Sequence, residues 1–100
     1  MILHITMAAE WAAAQALGDY RLDTLDTEGF IHCSTAAQVR GTLGRFYRGI
    51  PDLVRLEIDP ALLGDVELRW EGEPEAFPHI YGPLSVDAVV SADPIEAPPA

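Results

Sequence analysis

A chain of 100 residues, 49% hydrophobic and 22% charged, can close a core of its own without staples and is not disordered. Its net charge of −10, with six arginines and no lysine, sets it against nucleic acid and anionic membranes, because phosphate backbones are bound by clustered cations. The missing lysine excludes Schiff-base chemistry, and the lone Cys33 excludes an internal disulfide.

The length predicts one domain over residues 1–100, with a fraying proline-rich tail over 93–100. No apolar run approaches the roughly 20 residues of a membrane helix. Met1-Ile2-Leu3-His4 lacks the basic and apolar regions of a signal peptide, so the cytoplasm is the expected compartment. A small anion remains compatible with the charge, since backbone N–H groups and one arginine can hold a phosphate locally.

Ile2 to Thr6 reads as a first strand, with Ile2, His4 and Thr6 on one face and Leu3 and Ile5 on the other. Thr6 is the predicted cap of an alanine-rich helix over Met7 to Leu17, ended by Gly18. Asp19 to Thr27 reads as irregular, anchored by Tyr20, Leu22 and Leu25. Glu28-Gly29 turns into a strand over Phe30 to Cys33, and Thr35 with Gln38 forms a capping-box pattern. The helix that follows runs to about Tyr47, with Val39, Leu43, Phe46 and Tyr47 on one face. Gly41 and Gly44 weaken it by about 1 kcal/mol each, a loss that close packing or the close approach of another backbone is expected to offset.

Leu53 to Asp59 alternates clearly, Val54, Leu56 and Ile58 inward. Asp59-Pro60 opens a short helical turn. Val66 to Glu71 alternates again, and Arg55 and Glu57 are placed to pair with Glu67 and Arg69 across strands. Gly72 to Ala76 is an acidic loop. Phe77 to Tyr81 resumes as a strand, broken at Gly82-Pro83, and Val86 to Val90 is the last. The order gives an α+β fold: a mostly antiparallel sheet core with two main helices.

All three histidines lie on predicted strands beside helix starts or bends. Gathered in one cleft, His4, His32 and His79 would serve as catalytic acids or bases, as hydroxyl-binding groups, or as ligands of a zinc ion with an open fourth position. No two of them share a tight metal spacing. Ser34 is placed to offer its hydroxyl to a ligand, while Thr35 is a cap. Tyr81 shares a strand face with His79. Glu28 sits close to the His32 strand, whereas Glu71, Arg45 and Arg48 read as solvated. Trp11 and Trp70 read as core anchors. No Gly-x-Ser-x-Gly elbow marks a serine triad.

The segments His4-Ile5-Thr6, Glu10-Trp11, Gly18-Asp19-Tyr20, Glu28-Gly29-Phe30-Ile31-His32-Cys33-Ser34, Gln38-Val39, Arg45-Phe46-Tyr47, Leu56-Glu57-Ile58-Asp59 and Phe77-Pro78-His79-Ile80-Tyr81-Gly82-Pro83-Leu84 span nearly the whole chain. Together they resemble the uncharacterised bacterial family called domain of unknown function 952. The resemblance implies an ADP-ribosyltransferase-like fold, a split antiparallel sheet with a nicotinamide dinucleotide cleft. It implies that His4 bonds the ribose and the nicotinamide amide, that Phe30 to Ser34 flank the nicotinamide, and that His79 stands where the catalytic glutamate belongs. That departure sets the chain apart from ordinary ADP-ribosyl transfer to protein.

Two classes of function stay open. One is an enzyme acting on NAD or an ADP-ribosyl-like small molecule, with His4, His32 and His79 catalytic and Thr6, Ser34 and Tyr81 binding the ligand. The other is a non-catalytic module for a nucleotide-like ligand or a protein partner. A metal-dependent hydrolase is third.

Overall fold

A computed structural model describes residues 1–22 and 24–100 in full. Strand β1 (Ile2–Met7) leads into helix α1 (Ala8–Leu17), then a short β2 (Asp19–Tyr20) and a single helical turn, α2 (Asp23–Thr27). After β3 (Ile31–His32) come α3 (Val39–Phe46), β4 (Leu53–Ile58), β5 (Glu67–Glu71), β6 (Phe77–Tyr81), β7 (Leu84–Ser85) and β8 (Val89–Ile95). Every paired strand is antiparallel: β1-β4-β8 form one sheet, β3-β6-β5 a second, and β2-β7 a small third. The α+β expectation therefore stands, with three helices rather than two.

The two larger sheets meet at one bridge, where Leu3 and Ser34 exchange both backbone hydrogen bonds at 2.7 Å. This seam positions the cleft described below. The larger core joins Ile2, Tyr20, Ile31, Leu56, Ile58, Ile80 and Leu84. A smaller one packs Leu3, Ile5 and Leu53 under Val39 and Leu43 of α3. Strand β1 is thus covered on both faces, so its polar face of His4 and Thr6 is buried too.

Several local rules act as the sequence predicts. Gly18 takes the left-handed conformation (φ 93°) that ends α1 and donates to the Ala14 carbonyl. Thr35 and Gln38 form the reciprocal box, N–H to side chain in each direction at 3.0 and 3.2 Å. Gln38 also donates to the Ala76 carbonyl at 2.8 Å, tying the acidic loop to this turn.

Other expectations are corrected. Thr6 belongs to β1 and does not cap α1. The stretch Asp19 to Thr27 is ordered into β2 and α2 because Asp19 and Tyr20 pair with Ser85 and Leu84. Residues 86–88 form a 3₁₀ turn, and β8 extends through Asp93, Pro94 and Ile95, which pair with Arg55, Val54 and Leu53. Arg55 and Arg69 stand in different sheets, so the expected cross-strand charge pairs do not form. Arg55 reaches Asp93 at 3.3 Å and Arg69 chelates Glu67 of its own strand at 2.9 Å. Trp70 lies on the edge strand β5 and is 53% exposed rather than a core anchor. Among the described residues no helix is long and apolar enough to cross a membrane.

Candidate functional site

A cleft of about 690 Å³ opens along the seam between the sheets, roofed by α3, in the size range of small-molecule sites. His32 and His79 meet there as direct cross-strand partners of β3 and β6, their rings 5.0 Å apart and edge-on. Each carries its own carboxylate. His32 Nε2 bonds Glu28 at 2.7 Å, and His79 Nδ1 bonds Glu71 at 2.9 Å. Among the described residues the other ring nitrogens, Nδ1 of His32 and Nε2 of His79, make no hydrogen bond.

The two pairs differ in setting. The His32 and Glu28 side chains are 53% and 46% exposed, those of His79 and Glu71 only 12% and 38%. Phe30 stacks on the His79 ring at 4.1 Å and 14° and touches His32 edge-on at 4.8 Å. Tyr81 donates to the same Glu71 oxygen that His79 bonds, and Arg69 lies over the Tyr81 ring at 4.4 Å. The bonds from Tyr81 and then His79 hold the Glu71 carboxyl below the usual carboxylate range. His79 is therefore the fixed ring and His32 the one open to solvent.

His4 lies elsewhere. It faces the opposite side of β1 from Leu3 and Ile5, which line the cleft, and is 3% exposed. Its Nδ1–H donates to the backbone carbonyl of His32 at 2.6 Å. Its Nε2 is 3.0 Å from the Tyr20 hydroxyl, which is 2.6 Å from Thr6 Oγ1, and Thr6 donates to Glu10 at 2.8 Å. Burial pushes the His4 pKa down to about 4, which favours the neutral ring.

The expected grouping of three histidines is thus corrected to two, with His4 behind the strand that carries His32. Thr6 is buried in the His4 network and Tyr81 is absent from the cleft wall, so of the three expected ligand-binding groups only Ser34 lines the cleft. With His4 removed, the triad of zinc ligands is lost. No group of three or more His, Cys, Asp or Glu is arranged to hold a metal among the described residues. Cys33 is buried and its thiol pushed well up by desolvation, as an inert core cysteine should be.

Three cleft residues read as solvated or as core in the sequence. Glu71 bonds His79, Arg45 lines the wall, and Phe46, 69% exposed, lines it instead of joining Val39 and Leu43 in the core. The alternation of β5 held one signal for Glu71: register Glu71↔Phe77 places it diagonal to His79, two residues on along β6.

Fold and site define an α+β protein with paired histidine–carboxylate groups in a cleft at the seam of a split sheet. The chain belongs to the family described as protein of unknown function (DUF952), which matches over residues 5–92. It is similar to protein CC0527 from Caulobacter crescentus, a structural genomics target. The crystal structure of CC0527 is 36% identical, with 91% of this chain and 82% of that one covered at a TM-score of 0.82. The solution structure of CC0527 is 38% identical, with 91% and 80% covered at a TM-score of 0.76. No curated protein matches the chain.

Proposed function

We propose that this protein is an enzyme that acts on a nucleotide-like small molecule by acid–base chemistry between His32 and His79. The observation that carries the reading is the facing of the two carboxylate-bound rings at 5.0 Å. Each carboxylate fixes one ring nitrogen and leaves the other to take or give a proton in the cleft. One histidine can then take a proton from the attacking hydroxyl or water, and the other can protonate a leaving group that departs as an anion; nicotinamide departs from NAD as a neutral base and needs only the first. His79, clamped by Glu71 and Phe30, suits the oriented base; His32, open to solvent, suits the group that exchanges its proton with water. His4 acts indirectly, by holding the His32 carbonyl.

The substrate that the ADP-ribosyltransferase resemblance offers is NAD or an ADP-ribosyl-like compound, cleaved at a glycosidic bond. Glu71 supports that choice. It brings a carboxylate beside His79, on the side where the resemblance expects a glutamate to stabilise positive charge on the ribose.

The test is a thermal-shift and turnover panel of NAD, ADP-ribose and nicotinamide against wild type, His32→Ala and His79→Ala. A ligand at 100 times its dissociation constant stabilises the fold by about 2.7 kcal/mol. Turnover that either substitution abolishes is the expected result. Binding without turnover would instead identify a ligand-binding module, and no response to any of the three would remove the NAD reading.

A further inference from the structure

Six arginines share this chain with sixteen acidic residues, yet they are not equally partnered. Arg55 and Arg69 each hold a carboxylate, and Arg48 donates to the carbonyls of Gly44 and Pro99. Arg45 lines the cleft, and among the described residues no carboxylate holds it. Two carboxylates, Glu28 and Glu71, line the same cleft, and both are engaged by the histidines.

The guanidinium of Arg45 instead rests among apolar surfaces. Its central carbon is 5.9 Å from the centre of the Phe46 ring and 5.7 Å from that of Phe77. The head also lies back along α3 over Gly41, where an added Cβ would meet it at 3.8 Å. None of these neighbours is a hydrogen-bond acceptor, and among the described residues the Arg45 N–H groups, a fork shaped for two oxygens of an oxyanion, make no hydrogen bond.

Ser34 adds a second polar contact. Its hydroxyl lies 2.9 Å from Thr42 Oγ1, with either oxygen able to donate. In either sense a lone pair of Ser34 Oγ remains to accept from a ligand. A ligand that satisfies the cleft has an oxyanion at one end and a hydroxyl or amide donor within reach of β3.

We infer that Arg45 is the anion-binding residue of this cleft, and that the ligand carries a phosphate seated on its guanidinium edge while a hydroxyl or amide of the same molecule donates to Ser34. The inference rests on the proposed function for the use of the cleft, but it concerns recognition and not the acid–base step. A carboxylate offers the same two oxygens, and the test separates the two anions.

The experiment compares probes that differ in one group: AMP against adenosine, ribose 5-phosphate against ribose, and ribonate against ribose. Binding to the full chain is measured by calorimetry for wild type, Arg45→Gln, Ser34→Ala and His79→Ala, with circular dichroism confirming that each folds. The phosphorylated member is expected to bind roughly 10- to 100-fold more tightly than its neutral partner, as for hydrogen bonds to a charged group. That gap should close in Arg45→Gln and survive in His79→Ala, whereas Ser34→Ala should weaken both members of a pair alike. Phosphate preference that persists in His79→Ala without turnover in the wild type would uphold the anion site while removing the proposed enzyme. A preference for ribonate alone would make the anion a carboxylate and overturn the phosphate assignment. Equal binding of the charged and neutral members to the wild type, or no binding by any of them, overturns the inference outright, as does a phosphate preference unchanged in Arg45→Gln.

Discussion

At the scale of single residues, the strongest constraint is the buried imidazole of His4. An unfolded chain takes up a proton on this ring below its ordinary pKa of 6.5, whereas the folded ring does so only near 4. Protonation between these values therefore favours the unfolded state. Stability from this group is fully present above pH 6.5 and is lost as pH falls towards 4, by at most about 3 kcal/mol. Glutamine at position 4 can donate to the His32 carbonyl without titrating. Urea unfolding at pH 7.5, 5.5 and 4.5 should show wild type losing more stability on acidification than His4→Gln, and parallel pH curves for the two proteins would refute the account. The alternation of β1 was enough to place His4 and Thr6 on one face. What covers that face was not legible, because Tyr20 comes from a stretch with no periodicity and finds its place by pairing with Leu84.

At the scale of elements, helix α3 separates what local rules decide from what packing decides. Gly41 and Gly44 suggested a close approach of another backbone, yet an added Cβ would meet only the Arg45 and Arg48 side chains, at 3.8 Å or beyond. Neither glycine has a left-handed φ. Alanine at each position should thus raise stability by about 0.5–1 kcal/mol, the ordinary difference between the two residues in a helix. Gly18 is the opposite case: the space around it is open, but its φ of 93° strains any side chain, so Gly18→Ala should cost about 1 kcal/mol. Thermal melts of the three variants test both signs together. If Gly41→Ala melted below wild type, the helix would be in contact with something that this packing does not contain. The Gly18 end of α1 and the Thr35–Gln38 box were readable at this scale because they obey rules between neighbours in sequence, whereas the expected Thr6 cap was not, since Thr6 is drawn into β1. Strand partners were not: β4 and β5 both alternate, and nothing in that pattern says that they enter different sheets. Trp70 was misread for the same reason, since only pairing makes β5 an edge.

At the scale of the whole molecule, the cleft is a consequence of splitting the sheet. His32 and His79 come from one sheet, Leu3 and Ile5 from the other, and the single bridge at Leu3 and Ser34 holds the seam on which they meet. Sequence identified two of these segments as a site because each holds a histidine beside a helix start or a bend. It could not supply Glu71 and Arg45, because the β5–β6 register and the packing of α3 against Phe77 bring them to the cleft. The same molecule carries a charge of −10 with few ion pairs to offset it, so its compact state is opposed by self-repulsion. Salt screens such repulsion over a distance of about 10 Å at 0.1 M. Raising sodium chloride from 10 to 300 mM should therefore raise the melting temperature by a few degrees, equally in wild type and Arg45→Gln, where about 1 kcal/mol corresponds to some 4–8 °C for a chain of this size. A melting temperature that falls or stays level with added chloride would mean that the acidic surface does not strain the fold. Phosphate at matched ionic strength divides the general effect from the local one. Phosphate also stabilises folded chains generally by exclusion from their surface, so only the part of its extra rise that is lost in Arg45→Gln reports an ion seated in the cleft.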